Sequence, residues 1–370
     1  MSNLFDETIL KNHTIRNRFV MAPMQTYASN QDGKISEEEI EYFRLRAKEV
    51  GIAFTGCTPV RPNGIGFVNQ FRGYADYYLD SLSAIASAMK ENGAVAILQI
   101  YHAGRMPDIE VSENRDIVSA SDIPAPRPGY KTPRPLEDKE IEEIIEGFYD
   151  TTVRAIKAGF DGVEVHGANT YLIQQFFSPN SNQRSDQWGG SREKRTLFPL
   201  RVIKRVFDAV SDMNAKDFIV GYRMSPEETE EVGITLDDSL YLCDKIVNAG
   251  VDYFHLSLNR SFDQNPMRDS TDSRVIGTEF ANVINNRIPL IGARLINSEE
   301  SAKKALEVGY SYLSLGKALL LNPDFVSRIQ NGTRMDTEIT YKQAIERKLP
   351  EKLLQKIDTV TSWKHMIKYE

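Results

Sequence analysis

Three residues near the middle of the chain, His166, Asn169 and Tyr171, follow the short apolar run Phe160-Asp161-Gly162-Val163-Glu164-Val165. That run comes just after Gly159 and reads as a buried strand, so the polar trio emerges as the strand ends. In a parallel α/β fold, ligands sit at the carboxyl ends of strands. A histidine and an asparagine can each present an N–H to one oxygen atom, and a tyrosine adds an O–H nearby. Two donors and a proton source suit a reaction in which a carbonyl is polarised while a neighbouring carbon takes up a proton. The same trio also fits a loop whose polar side chains satisfy its own backbone.

Other apolar runs end in comparable clusters. Val20-Met21-Ala22-Pro23-Met24-Gln25-Thr26-Tyr27 closes the first; a proline cannot donate to a sheet ladder, so Pro23 marks where the sheet opens. Gln99-Ile100-Tyr101-His102-Ala103-Gly104-Arg105 closes the third, with an amide able both to donate and to accept. A lone histidine such as His102 is weak evidence of a ligand. Arg223 closes the fifth with a permanent charge, which serves equally in ligand binding or in a salt bridge across the opening. Pro289–Leu295 and Leu313–Leu320 cover the last two strand ends, where (β/α)₈ barrels often bind phosphate through backbone N–H groups. That phosphate signature is shared by barrels of many activities. Cys57 reads as a small buried residue rather than a nucleophile, and Trp188 as packing for its loop.

The stretch from His166 to Arg195 resembles the NADH:flavin oxidoreductases of the old yellow enzyme family. The resemblance rests on His166-Gly167-Ala168 leading to Tyr171, then Phe176 or Phe177, Ser178-Pro179, Asn182, Arg184, Asp186 and Gly189-Gly190-Ser191. It extends from about Asn17 to Asp324, with motifs in the family's order at the ends of six strands and Asn322-Pro323-Asp324 near its close. It implies FMN at the carboxyl mouth of the barrel. Ala22, Pro23, Met24, Gln25 and Cys57 would contact the cofactor, Gln99 its pyrimidine ring and Arg223 its N1 side. Ala293, Arg294, Gly316 and Lys317 would hold its phosphate. Tyr27 would face the substrate, His166 and Asn169 would grip a carbonyl oxygen, and Tyr171 would protonate the α-carbon. The implied reaction carries hydride from NADH or NADPH, by way of flavin N5, to an α,β-unsaturated carbonyl or related electrophile. Two positions depart from the family: Gln25 stands where threonine or cysteine is common, and Lys317 where arginine is usual. Lysine keeps the charge but loses the planar fork.

These groups need a scaffold that gathers strand ends. Strand-like runs recur at Arg18–Met24, Ile52–Cys57, Val95–Tyr101, Gly162–His166, Phe218–Arg223, Tyr253–Ser257, Pro289–Gly292 and Tyr312–Gly316. Helical patterns follow at Glu37–Val50, Leu79–Asn92, Asp138–Ala158, Glu193–Val210, Asp237–Ala249, Ser273–Asn285, Ser298–Val308 and after Pro323. Eight strand–helix pairs predict an α/β fold, a single (β/α)₈ TIM barrel over residues 1–330. Residues 331–370 would form a C-terminal helical extension, with Thr340–Ile367 helical and packed on the barrel or a partner subunit. The proline-rich segment from Asp108 to Pro135 reads as a long loop covering the mouth.

The chain has 370 residues, 41% of them hydrophobic and 26% charged, with a net charge of −7 and a pI near 5.5. That balance argues against a general nucleic-acid or anionic-membrane binder. Cys57 and Cys243 are the only cysteines, too few for a disulfide scaffold or a four-cysteine iron–sulfur cluster, and no metal site is expected. Without a membrane-length apolar run or secretory signal, a cytoplasmic enzyme acting on a small molecule is the default. A quinone or nitro-reductase, another flavin dehydrogenase on this barrel, or a degenerate barrel holding a phosphate ligand are the alternatives.

Overall fold

Successive side chains of a strand point to opposite faces, so a strand in a closed barrel must be apolar on both. The computed structural model describes residues 3–113, 115–292, 294–360, 363 and 365–369. Eight runs form the strands β1 (Phe19–Met21), β2 (Ile52–Phe54), β3 (Val95–Tyr101), β4 (Gly162–Gly167), β5 (Ile219–Met224), β6 (Tyr253–Leu256), β7 (Leu290–Gly292) and β8 (Tyr312–Leu315). They pair in parallel in chain order, and β8 pairs with β1 to close the barrel. Helices α1 (Glu37–Ala47), α2 (Leu79–Lys90), α3 (Asp138–Lys157), α4 (Leu197–Asp212), α5 (Leu236–Asn248), α6 (Ile276–Ile284), α7 (Glu299–Val308) and α8 (Phe325–Gln330) follow the strands in turn. The helix expected over Glu193–Val210 is divided at Thr196, which places Pro199 in the first turn of α4, where its missing N–H leaves no bond unmade. Among the described residues, no helix is long and apolar enough to cross a membrane.

The strand register sorts the side chains. Partners such as Ile52 and Val95, Ile97 and Gly162, Arg223 and His166, or His255 and Ile291 lie side by side in neighbouring strands and so share a face. On that face Val20, Ile52, Phe54, Val95, Ile97, Ile219, Tyr253, Ile291 and Tyr312 form one apolar cluster filling the barrel. Leu10 and Ile15, from an antiparallel N-terminal hairpin (Thr8–Leu10 with His13–Ile15), join it and stopper the amino end. Met21, Val163, Val220, Phe254 and Leu313 point the other way, into the layer beneath the helices. Followed toward the carboxyl ends, the inner face turns polar. Ile97 gives way to Gln99, Gly162 to Glu164 and His166, Ile219 to Arg223, Tyr253 to His255, and Tyr312 to Ser314. The two-residue period therefore builds an apolar plug below a polar mouth.

The C-terminal segment differs from a single helix. It holds two short helices, Tyr341–Glu346 and Glu351–Thr359, flanked by Ile339–Thr340 and Ile367–Lys368, which pair in parallel. Pro350 breaks the run, because proline drives the residue before it out of helical geometry and lacks an N–H. Leu353, Leu354 and Ile357 join the same apolar layer as the barrel helices. Arg46, fully buried in α1, donates to the carbonyls of Leu320 (2.9 Å) and Arg347 (3.1 Å), and its guanidinium lies 4.0 Å from the ring centroid of Tyr42. The Asp108–Pro135 segment is likewise not structureless. It carries a helical turn at Ile109–Ser112 and a two-residue parallel pairing of Val118–Ser119 with Arg134–Pro135.

Candidate active site

The end of β4 carries the central groups. His166 is buried, and its Nδ1 accepts the N–H of Ala168 at 3.2 Å. A ring nitrogen that accepts is unprotonated, so the proton of the neutral imidazole sits on Nε2, which is left as a donor. Burial first, then the charge of Arg223, holds the His166 pKa well below the ordinary value. The backbone then passes through Asn169 (φ 58°) and Thr170 (φ 63°), two left-handed non-glycine residues in succession. Such strain persists where surrounding bonds over-determine it. Here the Asn169 N–H donates to Ser225 Oγ (2.8 Å) and the Thr170 N–H to Gln174 Oε1 (2.9 Å). Gly167 is obligatory for space, since a Cβ there would meet the Tyr222 hydroxyl at 2.1 Å.

That turn brings Tyr171 back onto His166, with ring centroids 5.1 Å apart and edge-on. Tyr171 also meets Tyr101 at 4.9 Å and Phe67 at 6.4 Å, and Phe67 meets Tyr27 at 5.6 Å, so four aromatic rings wall one side of the mouth. Burial, and then the neighbouring Cys57, Tyr27 and Asp108, raises the Tyr171 pKa well above its ordinary value. Its hydroxyl keeps its proton. Asn169 is exposed, unlike His166 and Tyr171, and its backbone rather than its side chain makes the contact that fixes the turn.

The remaining expected groups gather around this wall. Ala22 donates its N–H to the Leu315 carbonyl (3.0 Å), which joins the ends of β1 and β8. A Cβ placed on Gly316 would have the Met24 sulfur as its nearest neighbour, 3.6 Å away, so Gly316, Ala22 and Met24 line one stretch of the mouth. Gln25 turns its amide to Cys57, donating to the carbonyl oxygen (2.7 Å) and the sulfur (3.2 Å). Burial pushes the Cys57 thiol up to about 12, which suits a packing residue and not a nucleophile. Arg294 is exposed, with φ 137°, and near enough that, after partial burial, its charge helps lower the Lys317 pKa. Ala293 lies outside the described residues. Pro23 is half-buried beyond β1. His102 is structural: Nδ1 accepts from the Gly104 N–H (3.1 Å), and Nε2 lies 3.1 Å from Asn63 Oδ1. Trp188 is fully buried and donates to Asp138 (2.8 Å), so it packs its loop.

Four groups escaped the motif reading. Glu164 and His255 form a buried pair inside the mouth, 2.8 Å from oxygen to nitrogen. A charged or polar residue at an inward position of an otherwise apolar strand was the available signal for both. Lys356, from the C-terminal segment, reaches Asp108 (3.4 Å) and lies 5.1 Å from the centroid of Tyr27; nothing local marks it. Glu39 is fully buried in α1, where it binds the hydroxyls of Thr26 and of Ser29 (2.7 Å) and so anchors the loop that carries Tyr27.

Buried polar atoms normally have partners, and leaving one unmade costs about 1–3 kcal/mol. Gln25 Oε1, Arg223 Nε, His255 Nε2 and Ser314 Oγ are buried and lack one within the protein. They come from the ends of β1, β5, β6 and β8 and surround the same mouth. The cluster fits a polar ligand with donors and acceptors of its own.

The pKa shifts predict a pH profile. The raised Tyr171 pKa keeps the phenol protonated, and the lowered His166 pKa keeps the imidazole neutral. A reaction that used Tyr171 as an acid and His166 as a neutral donor should therefore have a rate that stays flat from about pH 6.5 to about pH 10, the ordinary values of the two groups. Acceptor-dependent rates measured across that range test this. A limb inside it that disappears on replacing either residue would contradict the assignment.

The NADH:flavin oxidoreductase / NADH oxidase family profile matches residues 3–336. The chain is 39% identical over 352 residues to a probable NADH-dependent flavin oxidoreductase of Bacillus subtilis, covering 95% of this chain and 94% of the relative. It is 40% identical over 335 residues to an NADH:acrylate oxidoreductase of Vibrio harveyi, covering 90% of this chain but only 33% of that larger relative. The structure of the old yellow enzyme from Trypanosoma cruzi superposes with a TM-score of 0.75 at 28% identity, over 90% of this chain and 93% of that one. With the barrel, the mouth and these relatives in agreement, the chain belongs to the NADH:flavin oxidoreductase / NADH oxidase family, that of the old yellow enzymes.

Proposed function

We propose that the protein binds FMN at this mouth and reduces an electron-poor alkene conjugated to a carbonyl at the expense of NADH or NADPH. The observation that carries the reading is the pairing of a neutral, Nε2-protonated His166 with a protonated Tyr171 on one wall. Bound flavin would supply the hydride relay between nicotinamide and acceptor. His166 Nε2–H and the Asn169 carboxamide would donate to the acceptor's carbonyl oxygen, drawing charge onto it and making the β-carbon electrophilic. Tyr171 would deliver its proton to the α-carbon. Gln99 and Arg223 would hold the ring, with the guanidinium balancing negative charge there. Gly316, Lys317 and Arg294 would take the phosphate. Acrylate, named as the substrate of one relative, is an acceptor of this class. A small-molecule substrate and a cytoplasmic setting complete the reading.

An absorption spectrum of the purified protein, repeated after anaerobic NADH, is the test. A flavin spectrum that bleaches, then returns on adding an enone, is the expected result. Recovery with a quinone or oxygen alone would reject the alkene and keep the oxidoreductase. Absence of any bindable flavin would reject the reading outright.

A further inference from the structure

Glu164 is the one carboxylate on the inner face of the polar mouth among the described residues named above, and it is fully buried. Gln99 Nε2 lies 2.7 Å from one of its oxygens and His255 Nδ1 2.8 Å from the other. These three come from β3, β4 and β6, and Gln99 is the direct register partner of Glu164. We propose that Glu164 is a positioning residue: it fixes which end of the Gln99 amide faces the flavin ring and sets the net charge that Arg223 presents there. The inference rests on the FMN reading above.

The orientation follows from what each group can do. An ionised carboxylate only accepts, so the amide must turn its nitrogen to Glu164. Gln99 Oε1 is then left as the acceptor for the ligand, matched to an N–H such as the imide N3–H of an isoalloxazine. Burial favours the neutral acid, yet His255, Arg223 and the Gln99 amide more than offset it, and the Glu164 pKa is lowered. The carboxylate therefore stays ionised and keeps the amide from turning over. His255 takes part by the same logic: its Nδ1 must carry the proton, which leaves Nε2 as a buried acceptor without a protein partner. The carboxylate's charge also acts on Arg223, which is half-buried in β5 and within electrostatic reach of it. Without that charge, Arg223 would stabilise an anionic ring more strongly.

The test uses FMN and its N3-methylated analogue, titrated into apoprotein prepared from the holoenzyme, with the midpoint potential of each holoprotein measured alongside. The unmodified protein should bind N3-methyl-FMN at least about tenfold more weakly, the worth of one hydrogen bond to a buried acceptor. Glu164→Gln should shrink that preference to about threefold or less and raise the midpoint potential. In a Gln99→Ala background, the same change should leave the analogue preference unaltered. Equal affinity of the unmodified protein for both flavins overturns the proposal, and so does a folded Glu164→Gln protein with the preference or the potential unchanged. If Glu164→Gln does not fold, the comparison in the unmodified protein decides. Failure of the unmodified protein to bind either flavin would instead reject the FMN reading.

Discussion

Replacing Tyr171 by phenylalanine should slow reduction of an enone by about 10²- to 10⁴-fold, the contribution of a positioned general acid, and should leave flavin reduction by NADH near the wild-type rate. The two halves separate because only the second needs a proton at carbon. Phenylalanine keeps the ring contacts with Tyr101, His166 and Phe67, so the wall of the mouth survives and only the hydroxyl is lost. The raised pKa of Tyr171 makes the loss a loss of acid and not of a phenolate. Stopped-flow spectroscopy, reducing with NADH and then reoxidising with an enone, reads each half alone. An unchanged reoxidation rate would mean that the proton comes from another group.

Replacing Arg223 by methionine should cost on the order of 3 kcal/mol of stability at neutral pH and strip much of the flavin. Methionine fills similar volume, so the effect is chiefly one of charge. Arg223 is among the groups that hold the Glu164 pKa down; without it the carboxylate stays buried beside only His255 and Gln99, and removing one member of a buried charge set is strongly destabilising. The sign with pH follows. A carboxyl whose folded pKa is lowered contributes stability above its unfolded value and loses it as pH falls through the folded value. In the Arg223→Met protein that contribution shrinks or reverses, so its deficit against wild type is largest near pH 7 and smaller near pH 4, where the carboxyl of the unfolded chain titrates. Melting temperatures of both proteins at the two pH values test this. A deficit equal at both would locate the damage in packing.

Much of the fold is encoded locally. Near-continuous apolar runs such as Val95–Tyr101 and Ile219–Met224 mark strands buried on both faces, and the helices between them carry their own caps, Ser36 with Glu39 and Thr235 with Asp238. The strand count alone therefore implies a barrel. That His166 and Tyr171 meet at one strand end was legible for a related reason: both lie within six residues of it, although Ser225, a neighbour from β5, helps hold the turn between them. The C-terminal segment was less legible, because helical periodicity continues through Leu349-Pro350 while the proline interrupts the backbone.

By itself, then, the sequence determined which segments are strands and helices, and which polar residues stand at strand ends, because side-chain period and capping act over a few residues. Tertiary structure alone decided what those residues meet. Glu164 reaches His255 across 91 positions and Lys356 reaches Asp108 across 248. Neither distance is written in local pattern. Both depend on the register in which the barrel closes and on where the C-terminal segment packs, and burial then turns each meeting into a pKa, an orphaned acceptor or a fixed amide.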